Sequence, residues 1–140
     1  MNKVPTDELL KQLNNCNNID DYFKENSEYL IDTTLAEYLY NVFEEKCLKK
    51  SRVFEKAEID SVYGYQIIGG KKTPSRNKLI ALVIAAGFTF NEIQATLKIA
   101  NLAQLSPHNK RDSLIIFGIN NKKTIPELNE LLFDHSFETL

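Results

Sequence analysis

The sequence predicts an all-α chain. Two observations carry this: apolar residues recur at three- and four-residue spacing rather than alternating, and helix start signals recur ahead of those runs. Three of the starts are Thr-x-x-Glu capping boxes, Thr34/Glu37, Thr89/Glu92 and Thr124/Glu127. In each the hydroxyl accepts from an orphan N–H and the glutamate returns to the cap's own N–H.

In chain order, the segment before Thr34 is polar and Asn/Asp-rich, with short helices expected at residues 8–13 and 20–25. Leu35, Leu39, Val42 and Phe43 form one apolar stripe, predicting a surface helix over 35–46. Two short helices follow over 51–57 and 61–68, with Asp60 capping the second. Residues 79–86 are apolar nearly all round, so the helix over 75–86 is expected at the centre of the domain. Helices over 91–99, 107–120 and 125–135 complete the set. The second of these is assigned a start at Ser106-Pro107, because proline at the first helical position lacks only an N–H that has no partner there.

Composition bounds the function classes. At 140 residues, 43% hydrophobic and 26% charged, the chain fits one soluble globular domain. The start shows no basic-then-apolar signal pattern, and the longest apolar run, 79–86, is far below the roughly 20 residues that span a bilayer. No membrane partner is expected. Cys16 and Cys47 lie far apart without C-x-x-C spacing, which predicts free thiols, a cytoplasmic setting and no metal.

The net charge of -2 hides an asymmetry. Residues 1–46 carry net -6, residues 47–123 net +8, and residues 124–140 net -4. A basic middle between acidic ends suits one cationic face touching phosphates.

Within that basic middle, only Glu58-Ile59-Asp60 separates the two short helices. Such spacing suits a helix-turn-helix whose second helix lies in a major groove, with Ser61 and Val62 projecting beyond the Asp60 cap. Leu35, Leu39, Leu48, Val53, Ala57, Ile59, Ile67, the exit Gly70-Lys71-Lys72 with Pro74-Ser75, and Leu79-Ile80-Ala81 running to Gly87 complete a pattern. In this pattern the chain resembles the lambda-repressor-like (Xre-type) helix-turn-helix family over residues 35–99, five helices and nearly half the chain. The implied organisation is an acidic N-terminal helical extension over 1–33, a five-helix DNA-binding domain over 34–101, and a C-terminal helical extension over 102–140.

The resemblance implies base contacts from Ser61, Val62 and Gln66, with Tyr65 near the same face. Gln66 suits adenine N6 and N7, and Val62 suits a thymine methyl. It implies phosphate contacts from Lys50, Lys71, Lys72, Ser75 and Arg76. The partner is then double-stranded DNA, with no cofactor and no small-molecule substrate.

Three departures from the family pattern stand out. Phe54 occupies a usually small position and Gly64 a usually branched one, which predicts a volume exchange between the short helices. Glu58 replaces the usual turn glycine, and Lys49-Lys50 the usual Thr/Ser-Gln helix start. These departures also suit an alternative function, a helix-turn-helix scaffold acting as a protein-protein adaptor.

Blander readings compete at several positions. Tyr63 reads as ordinary half-buried packing, and Lys71, Lys72 and Arg76 compete with a merely solvated loop. Ser106 with His108 lacks an orienting partner and a pocket, so no catalytic role follows there or at His135. The chain is expected not to be an enzyme. Arg111-Asp112 reads as a structural ion pair joining the C-terminal helices to the rest. The stripe Leu114, Ile115, Phe117, Ile119, Leu128, Leu131 and Leu132 reads as core extension. A homodimer, through these helices or the acidic N-terminal third, would double the phosphate contacts.

Overall fold

The structure, a computed structural model, describes residues 6–26 and 33–140. Nine α-helices and no strand occur among the described residues. Residues 1–5 and 27–32 of the acidic N-terminal segment lie outside them. The chain divides into two compact units, Met1–Asp32 and Thr33–Leu140.

The first unit holds α1 (Thr6–Asn15) and α2 (Ile19–Glu25), both longer than their sequence signals alone predict. The Asn18 side chain caps α2 by accepting from the Asp20 N–H at 2.9 Å.

The second unit holds α3 (Leu35–Glu45), α4 (Lys50–Ala57), α5 (Ser61–Ile68), α6 (Arg76–Ala85), α7 (Phe90–Ile99), α8 (Lys110–Asn120) and α9 (Ile125–Asp134). All three capping boxes form, with both reciprocal hydrogen bonds, at the starts of α3, α7 and α9. At Thr89 the return bond from its N–H to Glu92 is 2.8 Å, and the same glutamate pairs with Lys46 of the α3 terminus at 3.0 Å.

The centre is α6. Leu79, Ile80, Ala81, Leu82 and Val83 are all 0–1% exposed, because α4, α7 and α9 pack around them. Leu39, Val42 and Phe43 of α3 join the same core, as do Ile115 of α8 and Leu128 and Leu132 of α9. The segment 102–140 therefore shares one core with 34–101. Phe117 departs from its expected burial and is half exposed.

Helices α3 to α9 all end in one way. A residue of positive φ stands at the cap of α4 and directly after the cap of the other six, and the N–H of the residue after it reaches back to a carbonyl five residues earlier, at 2.9–3.1 Å. The residue donating that bond is Leu48, Ile59, Phe88, Leu102 or Phe137 in five cases, and each packs on or in the core. This turns the chain inward after those helices. After α5 and α8 the donor is instead a lysine, Lys71, which is exposed, and Lys123, which is half-buried.

The expected start of α8 at Ser106-Pro107 is corrected. Asn109 is the cap, accepting from the Asp112 N–H at 2.9 Å, and the helix begins at Lys110. Ser106 is drawn elsewhere: its N–H donates to the Asp112 carboxylate at 3.1 Å and its hydroxyl accepts from the His108 N–H.

Candidate nucleic-acid interface

The candidate face is built on α4, α5 and the loop leaving α5. Helix α4 ends at Glu58, which takes the left-handed conformation at φ 58° and ψ 39°. For a residue with a Cβ this costs roughly 1–2 kcal/mol. The turn is held nonetheless: the Ile59 N–H donates to the Phe54 carbonyl at 3.0 Å, and Ile59 is buried. Asp60 then caps α5, accepting from the Tyr63 N–H at 3.3 Å.

The expected exchange between Phe54 and Gly64 is present. A Cβ at Gly64 would lie 2.6 Å from two carbons of the Phe54 ring, closer than any side chain tolerates. With that space open, Phe54 is completely buried and α5 sits close on α4. The Tyr65 ring meets the Phe54 ring edge-on, with centroids 4.9 Å apart and planes at 82°.

Burial of the inner side of α5 determines what points outward. Gly64, Ile67 and Ile68 face the core, so Ser61, Val62 and Tyr65 are exposed, Val62 at 66% and Tyr65 at 51%. Gln66 is half-buried, as is Tyr63, which packs against the core as expected. Gly70 ends the helix at φ +76°, and a Cβ there would press to 3.3 Å on the Ala36 Cβ, so glycine suits the position twice over.

The exit loop that follows presents cations. The N–H groups of Lys71 and Lys72 both donate to the Gln66 carbonyl, at 2.9 and 3.2 Å, while both side chains are exposed. Ser75 is exposed and caps α6, accepting from the Lys78 N–H at 3.3 Å, which leaves its own proton to donate. Lys50 opens α4 half-buried, between exposed Lys49 and Arg52. These two neighbours escaped the sequence reading, although the run Lys49-Lys50-Ser51-Arg52 was its visible signal.

Arg76 is corrected. Its guanidinium grips Asp112 with two bonds of 3.1 and 3.0 Å, and it donates to the carbonyls of Ala103 and Gln104 at 2.9 and 3.3 Å. A fork with four of its five N–H groups engaged, two of them on a buried carboxylate, serves as a brace between α6 and α8 rather than as a free phosphate contact. The expected pairing of Asp112 with Arg111 is replaced by this one, and Arg111 donates to the Glu138 carbonyl at 3.0 Å. Among the described residues the ion pairs are Lys46–Glu92 and Arg76–Asp112, so Lys49, Arg52, Lys71 and Lys72 stand outside any.

Ser106 and His108 interact through backbone capping, and the His135 ring contacts the Leu131 carbonyl at 2.9 Å. Among the described residues, no group of three or more His, Cys, Asp or Glu side chains is placed to hold a metal. No described helix is long and apolar enough to cross a membrane. Comparison with protein-family models, with curated proteins and with solved structures finds no match.

Proposed function

We propose that the chain is a sequence-specific DNA-binding transcriptional regulator, resembling the lambda-repressor-like family, that lays α5 in the major groove. The observation that carries this reading is the pairing of two features. Helix α5 turns Ser61, Val62 and Tyr65 outward from a side packed on α3 and α4. The loop leaving it presents exposed Lys71 and Lys72, where the exits of α3, α4, α6, α7 and α9 place an apolar residue on or in the core. Such an arrangement separates base contacts from phosphate contacts. Ser61, Val62, Tyr65 and Gln66 are assigned the first role, and Lys50, Lys71, Lys72 and Ser75 the second. The protein acts in the cytoplasm on double-stranded DNA, as a homodimer on paired half-sites, without a cofactor or catalytic step.

Gln66→Ala and Lys72→Ala test the division of roles by fluorescence polarisation. The first is expected to weaken a selected duplex by about 1–3 kcal/mol and leave random duplex nearly unaffected. The second weakens every duplex and reduces the salt slope by about 1. Equal losses from both on all sequences would contradict it.

The alternative reading is a protein adaptor. It is favoured by the carboxylates of Glu58 and Asp60 beside the start of α5, which repel phosphates, and by the absence of any charged residue within α5 itself. Failure of the folded chain to bind random duplex at low salt and micromolar concentration would select it.

A further inference from the structure

Resting on the reading that α5 enters a duplex, we propose that its principal base contact is an apolar ridge, Val62 and Tyr65, that recognises the C5-methyl groups of pyrimidines. The sites it selects are therefore built around thymines. The helix Ser-Val-Tyr-Gly-Tyr-Gln-Ile-Ile contains no Arg or Lys to pair with guanine O6 and N7, and no Asp or Glu to accept from cytosine N4. Its two most exposed large side chains, Val62 and Tyr65, are three residues apart and so share a face. The one apolar feature that a base pair offers in the major groove is the thymine methyl.

The ridge is braced from within. Tyr65 rests edge-on against Phe54, and Phe54 is held in the space that Gly64 leaves by lacking a Cβ. A ring fixed before contact loses little rotational freedom on binding, so the contact keeps more of its free energy. Gln66, one residue along, offers the amide that pairs with adenine, covering the other base of the same pair type. The exposed cations Lys49, Arg52, Lys71 and Lys72 supply the charge complementarity that selects a duplex over an apolar peptide as occupant.

The test starts from the full chain and duplexes selected from a random pool. Each thymine of the selected site is then replaced by uracil, which removes only the methyl group, and affinity is read by polarisation. Uracil at the contacted positions is expected to weaken binding about fourfold each, the equivalent of about 0.8 kcal/mol per methyl buried. Val62→Ser and Tyr65→Ser, both at exposed positions, are expected to abolish that sensitivity while leaving the salt slope unchanged. A parallel pool containing 5-methylcytosine separates the two sources of the methyl group, since enrichment of the modified base over thymine would assign the ridge to methylated cytosine. A guanine-dominated consensus, or selected sites indifferent to uracil at every position, would overturn the ridge and leave the DNA reading standing. No duplex binding by the folded chain would overturn both.

Discussion

Helices α5 and α6 are the two most apolar stretches of the basic middle, yet the fold treats them oppositely. Helix α6 is enclosed by α4, α7 and α9, and five consecutive residues lose essentially all contact with water. Helix α5 packs against α3 and α4 on one side, and leaves Val62 and Tyr65 exposed on the other. What sets α5 apart is that these two side chains share one face beside the exposed cations of its exit loop, and this is the face assigned to the duplex in the proposed function. The lesson is that hydrophobicity along a helix does not reveal which side is wanted inside. Neighbouring helices decide it.

Truncation sharpens the contrast most. Leu82→Ala in α6 is expected to cost about 2–5 kcal/mol in a denaturant titration, because a fully enclosed side chain leaves a cavity. Val62→Ala in α5 is expected to stay within about 0.5 kcal/mol. Similar losses at both sites would mean that Val62 serves the core. Next in size is the brace between α6 and α8: Arg76→Met is expected to cost about 3 kcal/mol by stranding the buried Asp112 carboxylate. If Arg76 instead served phosphates, the same variant would keep its stability and lose duplex affinity.

Gly64→Val probes the seat of α5 on α4, where overpacking against Phe54 is expected to cost about 1–3 kcal/mol. Pairing it with Phe54→Leu should recover part of that loss, since the ring is what the new side chain meets.

The smallest effect concerns pH. Burial disfavours the Glu92 charge, but the Thr89 N–H, Lys46 and the Thr89 hydroxyl outweigh it and hold the carboxyl below the usual range. Glu127 is lowered chiefly by the Thr124 N–H. Both groups thus add stability that is present above the ordinary glutamate value of about 4.3 and is lost as pH falls through their lowered values. Melting temperature should drop on acidification past that range, and less steeply in Glu92→Gln, which keeps an amide in the capping box.

Local signals made much of the fold legible. The capping boxes, the position of α5 and the exchange between Phe54 and Gly64 all rest on residues within about one short helix pair of each other. What stayed hidden involves distant partners or competing caps. Arg76 finds Asp112 thirty-six residues away, and nothing beside Arg76 in the sequence distinguishes a brace from a phosphate clamp. Asn109 caps α8 in place of Ser106, whose hydroxyl accepts instead from the His108 N–H ahead of the helix. The glycine before Lys71 suggests its exposure, but its contrast with the apolar exits of α3, α4, α6, α7 and α9 appears only when they are compared.

Titrating a selected duplex into isotopically labelled protein and following backbone amide shifts tests the outward face of α5 most directly. The account predicts that the shifts concentrate on residues 61–72 and the start of α4, with the amides of residues 79–83 in α6 nearly still. Shifts confined to α8 and α9, or none at low salt with the chain folded, would contradict it.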